Sequence, residues 1–504
     1  MEGQSMKRTR NLIAIAPAAC SFLMLLNAGL SFCQTNEKTT AQIAQADKID
    51  SYISQKMESY RIPGAVIAAV DKGKVVLKKA YGKANLETDT PVKINSVFEL
   101  ASLTKPFTAT AIMLLVEAGK VELDNSIGTY IDNAPDSWKN ITVRHLLTHT
   151  AGFPGEVPVQ WEGSPLMNVT ARQQFDFIAR APLLFPPGER SLYSDPGYIL
   201  LGMIIEKASG QSYREFVQKR IFEPLQMTDS SVLDQWRIIK NRVSPYAIRN
   251  GNLLRGRRDW QIELPSNFGL FSTVEDLIKF DAALTNNTLL KKSSLDQMRT
   301  PAKLNNGQDA LPMSAFGDPY GFGWLLSDVR GHRVAEHGGF TGTHMLRFPD
   351  DGLTIIVLTN LDLASGNRPD ALARGIAGLL KPEYQPLQSI AAQPDPDPQT
   401  TQDMRALLTD LTQGKGSPVM TSTYLAFFNS LSPQLREDVA RRLKTLSSFA
   451  YIATDDVKGR GLKRMGEPIA RICYYKGELG QRVFYFTFWL TKEGKVAHLR
   501  FYPE

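Results

Sequence analysis

Cysteine is scarce in this chain. Three are present among 504 residues, Cys20, Cys33 and Cys473, too few and too far apart for a disulfide scaffold. No block of Lys and Arg exists, which excludes the electrostatic footprint of a nucleic-acid binder. Beyond the N-terminus no apolar run is long enough to span a bilayer, and no internal repeat is visible. Histidine is also sparse, with six in all. His145 and His149 have the i, i+4 spacing of helical zinc ligands but lack the glutamate of H-E-x-x-H, so no metal site is expected. The remaining composition is that of a globular protein with enough apolar residues for a sizeable core.

What is present begins at the N-terminus. Lys7, Arg8 and Arg10 precede the apolar stretches Leu12–Ile15 and Cys20–Leu26. A basic cluster followed by a short apolar run is the pattern of an export signal, here residues 1–33. The formal charge of +7 is thereby reduced to a mild positive balance. Leu30-Ser31-Phe32-Cys33 resembles a bacterial lipobox, although Phe32 stands where a small residue is usual. Lipidation of Cys33, simple cleavage and an uncleaved anchor are the alternatives. The expected location is periplasmic or cell-envelope associated, with membrane anchoring through the N-terminus.

Residues 34–45 read as a polar tether. Gly64–Val70 and Lys74–Tyr81 read as strands joined by the turn Asp71-Lys72-Gly73. From about 102 to 290 the pattern is mostly helical. Strands return at Gly321–Leu326, His344–Phe348 and Leu353–Thr359, followed by a helix over 370–380. Strands at both ends of a region with helices between imply one sheet built from distant segments and an inserted helical lobe. The Pro-rich stretch 382–402 reads as an extended linker. Residues 403–504 read as a small α+β domain: helical patterns near 403–414 and 419–446, then four strands in a meander. Cys473, in one of those strands, reads as a small buried hydrophobe.

Three motifs carry chemistry. Ser102-Leu103-Thr104-Lys105 places a hydroxyl and an amine one helical turn apart, ahead of a mostly apolar helix that contains Pro106 and ends near Gly119. Such a lysine can hold or take the proton of a nucleophilic serine. Tyr193-Ser194-Asp195 and His337-Gly338-Gly339 follow in order. With Ile62-Pro63-Gly64, His145–Gly152, Leu201–Glu206 and Phe271–Leu277 as further landmarks, the region 46–381 resembles the serine β-lactamase and penicillin-binding-protein superfamily. The likeness is to the branch of class C β-lactamases and their esterase and D-amino-acid-peptidase relatives.

The resemblance implies an α/β fold: an antiparallel sheet lobe flanked by helices, plus an all-helical lobe, with the site between them. It implies a cofactor-free serine hydrolase acting on a small-molecule or peptide substrate. Ser102 would be the nucleophile of an acyl-enzyme, Lys105 its proton partner and Tyr193 the proton shuttle. The N–H groups of Ser102 and Phe340 would form the oxyanion hole, and Gly338 and Gly339 would let substrate backbone approach. Two positions depart from the family pattern. Asp195 replaces the usual asparagine: neutral, it hydrogen-bonds; anionic, it pairs with Lys105 and makes Tyr193 the better base. His337 replaces the usual lysine, so recognition of a substrate carboxylate weakens. Both departures point to an ester or amide substrate of low negative charge. A D-Ala-D-Ala-type carboxypeptidase, a weak β-lactamase and a non-catalytic penicillin-binding sensor or scaffold are the rivals.

Overall fold

The computed structural model describes residues 44–155, 168–234, 236–256, 261–313 and 317–503. The export signal, Cys33 and residues 34–43 of the tether lie outside the described residues. Helix covers 44–60, beginning within the stretch read as tether, and Gln55–Glu504 form one compact unit.

A seven-stranded antiparallel sheet organises that unit. Its order is Leu325–Val329, His332–Gly339, Thr343–Phe348, Leu353–Thr359, Gly64–Asp71, Lys74–Asn85 and Thr90–Pro91. The strand Leu353–Thr359 is buried along its whole length and Gly64–Asp71 nearly so, because the helices Val274–Asn286 and Pro369–Leu380 pack against them. That explains why these two segments read as continuous apolar runs instead of alternating ones. Lys72 and Gly73 both adopt positive φ, 50° and 78°, the geometry that lets a two-residue turn follow the twist of the strands.

Two sequence expectations are corrected here. The strand expected at Gly321–Leu326 begins at Leu325, because Gly323 turns the chain with φ 77° against the helix that carries Lys105. His332–Gly339, unassigned in the sequence reading, is a full strand beside it. The helical lobe centres on two buried helices in contact, Lys105–Glu117 and Asp195–Ser209.

The C-terminal lobe has three helices, Pro398–Thr412, Ser422–Ser430 and Pro433–Leu443. Its antiparallel meander runs Leu446–Asp456, Arg471–Leu479, Arg482–Leu490 and Val496–Pro503. The first helix starts inside the stretch read as linker, since the Asp397 side chain caps it at the Thr400 N–H. Leu387, from the same stretch, is buried with Ile452 and Trp489, so those residues pack instead of trailing free. The pattern at 419–446 divides into two helices because Ser432 caps a new start with Pro433 in its first turn. Cys473 is a free, buried thiol within the lobe's apolar core.

Candidate active site

Ser102 lies in a 3-10 turn, Ala101–Thr104, that feeds directly into the helix Lys105–Glu117. Pro106 fits this first turn because its missing N–H has no helical acceptor to lose. Ala101 sits at φ 46°, a region that favours glycine, and such strain persists only where surrounding bonds impose it. They do so here. The Leu100 N–H donates to Leu270 O at 2.8 Å, and the Leu100 carbonyl accepts from Thr343 Oγ1 at 2.9 Å. The Thr341 hydroxyl donates to Glu99 O at 2.6 Å. The turn before the serine is thus pinned from two sides of the molecule.

Lys105 is completely buried. Its ammonium donates to Ser102 Oγ at 3.1 Å, to Asp195 Oδ1 at 2.6 Å and to the Asn267 carbonyl at 3.1 Å. It also lies 4.7 Å from the centre of the Tyr193 ring. Burial pulls the ammonium toward neutrality, but the Asp195 carboxylate, with Tyr193, outweighs it and the net displacement is upward. The alternative left open by Asp195 therefore resolves as an ion pair with a charged lysine. Burial raises the Tyr193 phenol above its ordinary value despite the nearby lysine charge. It is a neutral phenol.

Three successive amides of the second motif are held by three separate segments. Tyr193 N–H donates to Pro312 O at 3.1 Å and Asp195 N–H to Gly155 O at 2.9 Å. Ser194 N–H donates to His149 Nδ1 at 3.0 Å. The two histidines at metal-like spacing are thereby explained. His145 Nδ1 accepts from the Thr142 N–H at its own helix cap, and His149 organises the tyrosine turn, its ring 4.4 Å from that of Tyr193.

His337 is buried at the end of the strand His332–Gly339 with both nitrogens engaged. Its Nδ1 lies 2.8 Å from Gly338 O; a carbonyl only accepts, so Nδ1 carries the proton. Nε2 then accepts from the Tyr320 hydroxyl at 3.0 Å. Burial, and next the Lys105 charge, pull its pKa down to about 3. The imidazole is neutral and turned into the protein. Gly339 is dictated by close packing, since a Cβ there would stand 2.0 Å from Leu100 O. Phe340 follows it, 47% exposed. Tyr320, Asn267 and Pro312 carry no motif and were not singled out in the sequence. They act through a lone hydroxyl and two carbonyls, so only the fold reveals them.

The family model described as Beta-lactamase matches residues 49–378. The chain belongs to the beta-lactamase family. It is 33% identical over 328 residues to Penicillin-binding protein 4* of Bacillus subtilis, covering 60% of this chain and 69% of that protein. With Protein flp of Staphylococcus aureus it shares 27% over 326 residues, 62% of this chain and 63% of that one, so it spans less than two thirds of flp. Among solved structures, the octameric penicillin-binding protein homologue from Pyrococcus abyssi superposes with a TM-score of 0.60 at 24% identity, covering 89% of this chain and 96% of that one. EstCE1, a hydrolase with promiscuous acyltransferase activity, gives 0.58 at 21% identity, over 67% and 99%. At these identities the two structures speak for the fold. A match of 89% takes in part of the C-terminal lobe as well.

In this beta-lactamase-family serine hydrolase a second charged group lies beneath the third motif. Glu336 is buried and accepts two bonds from Arg374, at 2.6 and 2.7 Å, one from Ser327 at 2.8 Å and one from His344 at 3.1 Å. Burial would raise its carboxyl, but Arg374 and His344 hold it well below the usual range. The strand bearing His337 is anchored by a satisfied charge network, the condition under which buried ions are tolerated.

Three buried histidines make stability depend on pH. His337 and His498 are depressed to about 3, each chiefly by burial, and His149 well below the ordinary value for the same reason. Below about pH 6.5 the unfolded chain takes up protons that the folded chain refuses. Stability is therefore full above that pH and falls as pH drops, by about 1.4 kcal/mol per pH unit for each such histidine. Urea unfolding at pH 7.5 and 5.0 should show a loss of several kcal/mol, reduced in a His498→Gln variant. Equal stability at the two pH values contradicts this.

Proposed function

We propose that the enzyme cleaves an ester or amide of low negative charge through an acyl-enzyme on Ser102. The observation that carries this is the Lys105 ammonium, bonded at once to Ser102 Oγ and Asp195 beside the Tyr193 ring. Lys105 stays charged, orients the serine oxygen and stabilises negative charge as it develops there. Tyr193, a neutral phenol, takes the serine proton while passing its own to the leaving group. The bond from Ser102 Oγ to the acyl carbon forms and the bond to the leaving group breaks; the phenol's original proton ends on the departing oxygen or nitrogen, and the serine proton restores the phenol. Deacylation runs the same relay with water in place of serine. The Ser102 and Phe340 N–H groups receive the oxyanion.

His337 supports the choice of substrate. A neutral imidazole with both nitrogens engaged offers no cation to a substrate carboxylate. A short-acyl nitrophenyl ester is expected to be turned over faster than a D-Ala-D-Ala peptide or nitrocefin; preferential hydrolysis of nitrocefin overturns the assignment. A fluorophosphonate probe tests the nucleophile and separates an enzyme from a non-catalytic sensor. Wild type is expected to be labelled and Ser102→Ala not; labelling of the variant, or none of wild type, refutes the acyl-enzyme.

Export to the cell envelope belongs to the same reading, supported by the basic and apolar pattern of residues 1–33. Incorporation of labelled palmitate that is lost in Cys33→Ser distinguishes lipid anchoring from simple cleavage.

A further inference from the structure

The C-terminal lobe lies outside the family region, yet it grips the segment that supports two site residues. That segment supplies Pro312 O to the Tyr193 N–H at 3.1 Å and the Tyr320 hydroxyl to His337 at 3.0 Å. On one side, Asp309 Oδ2 accepts from the Met465 N–H at 3.0 Å, and Leu311 is buried among the apolar side chains of the lobe. On the other, Asp318 pairs with Arg500 at 2.6 Å. Asp328, on the neighbouring strand, accepts from Arg464 and from the Trp489 indole. These ionic groups are largely buried, where a pair is worth most when complete and leaves a costly orphan when broken.

We propose that the C-terminal lobe is a positioning device for the active site: through Arg500 and Asp318 on one flank and Met465, Asp309 and Leu311 on the other, it sets the places of Pro312 and Tyr320, and through them Tyr193 and His337. Arg500 is a positioning residue, since it touches neither Ser102 nor substrate. The inference rests on Ser102 being the acylated serine. It goes beyond that reading by giving the lobe a role in the rate of acylation. A displacement of the proton shuttle by a fraction of an ångström is enough to matter, because acyl transfer requires near-attack geometry.

The test uses full-length protein and a fluorophosphonate probe, which reports two separate quantities. The labelled fraction at the end point counts intact sites; the rate of labelling measures their quality. Arg500→Met and the milder Asp318→Asn are expected to reach the wild-type end point at a rate roughly tenfold lower. Ester turnover should lose kcat with KM little changed, and Arg500→Lys should recover most of the rate. In a Tyr320→Phe background, Arg500→Met should cost less than in wild type, because one of its two routes is already gone. A purely structural role would lower the end point and leave the rate of the surviving sites unchanged. That result, or wild-type labelling rates in folded Asp318→Asn, or full multiplication of the Arg500 and Tyr320 losses, overturns the proposal. Failure of wild type to be labelled refutes instead the assignment of Ser102.

Discussion

Lys105→Ala is expected to slow acylation by roughly 10³-fold while the chain remains folded. The lysine is fully buried, but its partner Asp195 keeps 30% of its side chain exposed, so water can solvate the carboxylate left behind and the fold survives. Chemistry does not survive as well. The variant loses the donor to Ser102 Oγ, and it keeps a bare negative charge near the place where a second one must develop. Part of the loss is therefore repulsion, and Lys105→Ala with Asp195→Asn should acylate faster than Lys105→Ala alone. Asp195→Asn by itself tests the charge state. Without its counter-ion the buried ammonium responds to desolvation, the largest influence on it, and its pKa falls. Acylation in that variant should rise with pH as a neutral lysine becomes available as base. In wild type the lysine remains charged and contributes no such rise. Single-turnover rates between pH 6 and 9 decide it. Normal acylation in folded Lys105→Ala, or identical pH profiles for wild type and Asp195→Asn, removes the lysine from the mechanism.

The serine and its lysine were legible because both lie within one turn of a single segment, where spacing alone brings them together. The meaning of Asp195 was not. Its charge state depends on a distance to Lys105 across 90 residues of chain, and sequence offers two chemically reasonable answers. His337 shows the same limit from another side. Its identity argued against a cation at that place, but its position in the sequence could not reveal that it hydrogen-bonds Tyr320. The hairpins were readable from their Asp and Gly turns. The strand His332–Gly339 was less so, because it is interrupted by a charged residue that the fold buries: Glu336 only makes sense beside Arg374 and His344. The C-terminal lobe was visible as alternating strands after a Pro-rich stretch. Its grip on Asp309, Leu311 and Asp318 was invisible, being made largely by single Asp and Arg residues scattered over nearly two hundred positions.

Gly339→Ala should abolish most activity in a protein that still unfolds cooperatively. The new Cβ would lie 2.0 Å from the Leu100 carbonyl oxygen and 2.4 Å from Thr343 Oγ1. Threonine can rotate away; a backbone carbonyl cannot, so the strand His332–Gly339 must retreat from the turn that presents Ser102. That retreat strains the Thr343 bond to Leu100 and the Thr341 bond to Glu99, the contacts that hold Ala101 in its left-handed conformation. It also displaces the Phe340 N–H, the second oxyanion donor of the proposed mechanism. Loss of one oxyanion donor costs roughly 10² to 10³ in kcat. Gly338→Ala is the control, since its Cβ would meet the His344 ring at 3.0 Å and backbone only at 3.4 Å. A side chain can yield there by a few tenths of an ångström, so kcat should fall far less and thermal unfolding should change little. If the two alanine variants lose activity equally, close approach at Gly339 is not what sets the geometry around Ser102. If Gly339→Ala retains wild-type kcat, the strand can move without disturbing the serine, and the oxyanion must be received elsewhere.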